Sequence, residues 1–168
     1  MKPTAEALFE RYHARIYRYF RQVAGRHEDA QDLAQELFLR LVRGWDRYQA
    51  SGRETGWVFR AARNLALDYR RRRRTVADIG GEDLLAGMRP GDAPQVLAFG
   101  LSEALGLLSE GDRDLVLLRE VAGLTYRELS EVCEATPAAV SQRLYRIRQR
   151  LRGLLGSKID AGTCRSNR

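Results

Sequence analysis

Residues 123–155, GLTYRELSEVCEATPAAVSQRLYRIRQRLRGLL, contain two helix starts in close succession. Thr125 and Glu128 stand at the spacing at which a hydroxyl and a carboxylate each satisfy a free amide of a helix's first turn. The helix they open runs through Leu129 and Val132. Thr136 then offers a second N-cap, and Pro137 a first helical residue whose missing N–H costs nothing there. From Val140 the apolar positions Leu144, Ile147, Leu151 and Leu154 follow at steps of three or four, the stripe of a longer amphipathic helix. A short helix, a tight turn over Cys133 to Thr136 and a longer helix with a polar N-terminal face make a helix-turn-helix.

The charges around this motif point to a polyanion. Residues 103–139 hold three arginines and eight acids, whereas 140–155 hold five arginines (Arg143, Arg146, Arg148, Arg150 and Arg152) and no acid. The second helix is thus a cationic rod on an acidic domain, as suits a phosphate backbone. Its early residues, Ala138, Ala139, Ser141, Gln142 and Arg143, are placed for base edges, and the later arginines for phosphate.

Toward the N-terminus the same helical period continues. Leu97, Leu101, Ala104, Leu105 and Leu108 form one stripe, and Leu115, Leu118 and Val121 another. Before them, residues 75–95 carry one arginine against four acids and are broken by Gly80, Gly81, Gly87, Pro90, Gly91 and Pro94. Such punctuation stops helices, so this stretch reads as a flexible linker. Residues 1–74 carry 17 Lys/Arg against 9 Asp/Glu and contain three further amphipathic stripes: Leu8 to Val23, Leu33 to Leu41, and Val58 to Tyr69. No stretch alternates at period two. The fold class is all-α: two small helical domains, 1–74 and 96–155, joined by the linker and followed by a tail, 156–168.

The third of those stripes ends in Arg70, Arg71, Arg72, Arg73 and Arg74, on a helix that also bears Trp57, Arg60, Arg63, Asn64 and Asp68. Five adjacent cations repel one another unless an anion relieves them. Aromatics beside a basic track suit unstacked bases, and Trp45, Tyr48 and Trp57 flank the loop 49–56; at least one of the two tryptophans is expected in the core. The second stripe is different. Asp29, Asp32 and Glu36 share a face, which would repel DNA and suits a protein partner.

Composition narrows the class further. The 168 residues carry a net charge of +7, and the only lysines are Lys2 and Lys158, so the cations are almost all forked guanidinium groups. No apolar run reaches membrane-spanning length and no signal-peptide core opens the chain, which predicts a soluble, cytoplasmic protein. Cys133 and Cys164 make neither a disulfide framework nor a metal cluster, and His13 and His27 lack ligand spacing. No metal, cofactor or small-molecule substrate is expected. The acids lie on helix faces or in the linker, without the clustering that nuclease chemistry needs.

With these residues in view, the chain resembles the extracytoplasmic-function sigma factors, the smallest members of the family that gives bacterial RNA polymerase its promoter specificity. DAQDLAQELFLRL (29–41) resembles the core-polymerase-binding helix. WVFRAARNLALDYRRRRR (57–74) resembles the helix that melts and reads the minus-ten element, and 123–155 the helix-turn-helix that reads the minus-thirty-five element. The resemblance implies a transcription factor that is not itself an enzyme. Asp29, Asp32, Gln35, Glu36 and Phe38 would dock on core RNA polymerase. Trp57, Arg60, Asn64, Asp68 and Arg70 to Arg74 would lie on minus-ten promoter DNA, with a flipped base received by loop 49–56. Thr136, Pro137, Ala138, Ala139, Ser141, Gln142, Arg143, Arg146 and Arg148 would serve the minus-thirty-five element. An anti-sigma factor, often membrane-bound in this family, is implied as a further partner. Two departures stand out: the turn's usual glycine is replaced by Glu134, and Ser141–Gln142 stand where a lysine and a serine are common. The rival reading is a stand-alone helix-turn-helix regulator of duplex DNA, which leaves the first domain without a role.

Overall fold

The computed structural model describes residues 4–45, 48, 52–80 and 95–163, and the side chains of 4–45, 48, 52–75 and 100–156. Among these residues the chain forms seven α-helices: α1 (Ala5–Ala24), α2 (His27–Gly44), α3 (Glu54–Gly80), α4 (Gln95–Gly106), α5 (Glu110–Val116), α6 (Tyr126–Cys133) and α7 (Pro137–Thr163). A π-helical turn, Leu117–Val121, continues α5. No described helix is long and apolar enough to cross a membrane.

The starts and stops follow local chemistry. Thr4 caps α1 by accepting from the Ala7 amide at 3.2 Å. Gly25, at φ 73°, ends it with its own amide on the Arg21 carbonyl. The two-residue connection then folds α2 back against α1. α3 continues six residues past Arg74 to Gly80, so the helix enters what reads as linker; residues 81–94 lie outside the described residues. It also begins at Glu54, inside the stretch read as loop 49–56, of which 49–51 lie outside the described residues.

The stripes become one core. Leu8, Tyr12, Ile16, Tyr19 and Phe20 of α1 are buried against Leu33, Leu37 and Leu41 of α2 and Val58, Phe59, Ala62 and Leu65 of α3. Each such large side chain contributes about 1.5–3 kcal/mol when fully buried. The cluster does not stop at the first domain. It runs on through Leu115, Leu117, Leu118, Leu124, Leu129, Val140, Leu144 and Ile147. The two domains are closed on each other, α3 against α6 and α1 against the π turn.

Candidate nucleic-acid and partner-docking surfaces

The helix-turn-helix is built from its caps. Thr125 accepts from the Glu128 amide at 3.2 Å while Glu128 accepts from the Thr125 amide at 2.7 Å, a complete capping box. Arg119 lies 4.8 Å from the Tyr126 ring centroid and donates to the Leu124 carbonyl at 2.6 Å, which fixes the entry into α6. Thr136 opens α7 by accepting from the Ala139 amide at 3.2 Å. Between the helices Glu134 takes the left-handed conformation (φ 53°, ψ 41°), so the turn is regular in register and carries a glutamate at the place suited to glycine. A side chain there costs roughly 1–2 kcal/mol.

This places the early residues of α7 in the open. Thr136, Pro137, Ala138, Ala139, Ser141, Gln142, Arg143 and Arg146 are all exposed, while Val140, Leu144 and Ile147 are buried beneath them. Arg143 donates to Asp112 at 2.7 Å. Arg148 donates to Glu120 at 2.6 Å, and its bond to the Tyr126 hydroxyl pulls that phenol below its ordinary value.

The basic face of α3 points at the C-terminal domain. Arg70 pairs with Asp114 at 2.6 Å, Arg63 lies 3.7 Å from the other oxygen of that carboxylate, and Arg74 pairs with Glu110 at 2.5 Å. Arg60 donates to the Glu131 carbonyl at 2.6 Å and pairs with Glu134 at 3.1 Å. Tyr19 of α1 donates to Asp114 at 3.2 Å. Burial pushes the Tyr19 hydroxyl well above its usual range, and the Asp114 charge adds to it. Nearby Arg113 is lowered by burial and by Arg70; it donates to the carbonyls of Leu105 and Gly106 that end α4. Asn64, Arg71 and Arg72 stay exposed and Asp68 is half-buried. Arg73, one turn on from Arg70, finds its partner within the first domain, donating to the Tyr69 hydroxyl at 3.0 Å.

Trp45, Tyr48 and Trp57 come together. The Trp45 and Tyr48 rings stack at 5.0 Å between centroids, and Trp57 meets Tyr48 at 5.1 Å. Neither tryptophan is in the core as expected; both are half-buried, and Tyr48 is the buried member at 6% exposure. Tyr48 and Trp57 line a cavity of about 910 Å³ with Arg53 and Arg60, closed on its other side by Glu131, Glu134 and Pro137.

On the opposite part of the first domain, α1 and α2 leave an apolar groove of about 810 Å³. Phe9, His13, Tyr17, Gln35, Phe38, Leu39 and Val42 are among its walls, and Phe9, Leu39 and Val42 are exposed. Asp32 and Gln35 are exposed beside it, and Glu36 pairs with Arg40. Asp29 turns away: it accepts from the Tyr69 hydroxyl at 2.8 Å and lies 3.9 Å from Arg73. The acidic stripe therefore marks only part of this surface. Phe9, His13, Leu39 and Val42 went unread, although Leu39 and Val42 flank the buried Leu41 and make that end of α2 apolar beyond its core stripe.

Residues 8–76 match the sigma-70 region 2 family, and residues 99–151 match sigma-70 region 4. The chain is 33% identical to the ECF RNA polymerase sigma factor SigE of Mycolicibacterium smegmatis, over 98% of this chain and 66% of that one. It is 32% identical to the RNA polymerase sigma factor CarQ of Myxococcus xanthus, over 90% and 88%. The fold resembles that of the sigma factor RpoE bound to the anti-sigma factor NepR from Bartonella quintana, with a TM-score of 0.69, 22% identity and coverage of 90% and 95%. It also resembles CnrH in complex with the cytosolic domain of CnrY, with a TM-score of 0.66, 22% identity and coverage of 91% and 88%.

Proposed function

The chain belongs to the extracytoplasmic-function sigma factors of the sigma-70 family, and from that premise we propose how its surfaces divide the work of promoter-directed initiation. The reading is carried by the order of the two matched regions, one with an apolar docking groove and one with an open recognition helix. Core RNA polymerase docks on α1 and α2 through Asp32, Gln35, Glu36 and Phe38, and equally through Phe9, His13, Leu39 and Val42. The exposed apolar residues supply the anchor and the acids set register and partner choice.

Promoter DNA is taken at two places. α7 enters the major groove at the minus-thirty-five element, where Ser141, Gln142 and Arg143 meet base edges and Arg146 and Arg148 meet phosphate. Trp57, Arg60, Asn64, Asp68 and the arginines from Arg70 to Arg74 lie along the minus-ten element. An unstacked base costs a few kcal/mol to extrude, which stacking on the aromatic trio offsets by about 1–3 kcal/mol. Polymerase supplies the chemistry of RNA synthesis, and this chain supplies position and strand separation. An anti-sigma factor that covers the docking groove is its natural antagonist.

The test is reconstitution. The purified chain, core polymerase lacking a specificity factor, and a library of promoter-like DNA should yield run-off transcripts from a defined subset. Selective binding of duplex DNA without polymerase, and no transcripts with it, would replace this reading with a stand-alone regulator.

A further inference from the structure

The contact between the domains joins the continuous apolar core to a set of acids from the C-terminal half seated on arginines of α3. Arg60, Arg63, Arg70 and Arg74 fall on one face of that helix, and each reaches Asp114, Glu110, Glu131 or Glu134 across the boundary. Asp114 is the telling residue. Its relative exposure is 0%, and Tyr19, Arg63 and Arg70, which reach its carboxylate, all lie in the other domain. A buried carboxylate costs several kcal/mol unless it is paired. Among the described residues no group of its own domain pairs with it, so its ion pairs form only when the domains are closed.

We propose that Asp114, with Glu110, Glu131 and Glu134, stands in for DNA phosphates and holds the free chain closed. In this form its minus-thirty-five domain occupies the Arg60, Arg63, Arg70 and Arg74 side of its own minus-ten face, while Asn64, Arg71 and Arg72 stay exposed. The inference rests on the assignment of α3 to promoter DNA. A phosphate reaching Arg63 and Arg70 has to displace Asp114, and nearer the start of α3 the helices α3 and α6 touch. A Cβ added at Gly56 on α3 would lie 2.8 Å from the Cβ of Glu131 on α6, a distance that requires the helices to part. The apolar groove between α1 and α2 is lined by other residues, so polymerase can dock on the closed chain before DNA is engaged.

The experiment uses the full chain with Cys133 and Cys164 replaced by serine and dyes at two exposed positions, Arg43 on α2 and Tyr145 on α7. Energy transfer between the dyes reads closure. The anisotropy of a fluorescein-labelled, mixed-sequence single-stranded DNA reads access to α3. Three variants open the contact by different means: Asp114→Asn removes the buried charge, Glu110→Arg reverses a rim charge, and Gly56→Val wedges α3 from α6 with every charge kept. Each should lower the transfer. If the open form is about a tenth of the wild-type population, each should tighten DNA binding about tenfold. Should Asp114→Asn fail to fold by circular dichroism, the other two variants decide. Unchanged transfer in both overturns the closed form. Lower transfer with unchanged DNA affinity overturns the masking. A failure of the sigma-factor reading shows separately, as no run-off transcript with core polymerase while the transfer still responds to the variants.

Discussion

Glu134 is both the one non-glycine residue with positive φ among those described and the partner of Arg60 across the domain boundary, at 3.1 Å. Local strain and a long-range contact therefore meet in one side chain. Glycine at this position would relieve roughly 1–2 kcal/mol of left-handed strain and would add about 0.5–1 kcal/mol of ordering cost. The exposed pair with Arg60 is worth at most about 1 kcal/mol. These terms nearly cancel. Glu134→Gly should leave urea-unfolding stability within about 1 kcal/mol of the parent. A loss above about 2 kcal/mol would show that the pair outweighs the strain.

The capping box gives a cleaner stability test. Thr125→Ala removes the acceptor for the Glu128 amide without touching either DNA face. It should cost about 1 kcal/mol in chemical denaturation. A cost near zero would mean that α6 is held by Leu129 and Val132 alone.

Polymerase docking should depend more on the groove than on the acids. Leu39→Ala with Val42→Ala truncates two exposed side chains, so folding should be unaffected. Affinity for core polymerase should fall about tenfold or more if they anchor the contact. Reversing the charges at Asp32 and Glu36 should weaken binding and make it less salt-sensitive. Asp29→Ala should act differently, loosening the α2–α3 contact through Tyr69. Surface plasmon resonance with immobilised core polymerase separates the three.

The α7 arginines can be ranked by their partners. Arg146 has no ion-pair partner among the described residues, whereas Arg148 is engaged by Glu120. Each lost phosphate contact should flatten the salt dependence of minus-thirty-five duplex binding by roughly one unit of slope. Arg146→Ala should show that change in full and Arg148→Ala a smaller one. Equal slopes for both variants and the parent would place neither on the backbone.

Much of this architecture was readable from the chain because it is set by near neighbours. Thr125 with Glu128, Thr136 with Pro137, and most of the leucine stripes are set by near neighbours and appear where the spacing puts them, although Leu101 of α4 is exposed. The end of α3 was less readable: Gly/Pro density averaged over 75–95 does not mark it, and the helix runs on to Gly80 because nothing between Thr75 and Ile79 breaks it. The closed interface was not readable. Asp114 is one acid among several in its segment, and only the fold brings Arg63 and Arg70, 51 and 44 residues away, to its oxygens. The arginine run likewise gave no sign that Arg70 and Arg73, one turn apart, take partners in different domains, because a run of one residue type carries no period.

The π turn at Leu117–Val121 bears on how this chain tolerates insertions and deletions. Its wide ring closes with the Ala122 amide on the Leu117 carbonyl at 3.0 Å, and the carbonyls of Ala122 and Gly123 are left to accept from Arg15 of α1. A π turn is an α-helix with one surplus residue. Losing one residue there would let the ring close as a regular α turn, so the deletion is taken up locally and the helix-turn-helix, whose caps lie downstream, keeps its aim. A deletion in the regular part of α5 has no such slack and would rotate everything after it by about 100°. The wide ring thus works as a take-up between the two halves, one residue deep.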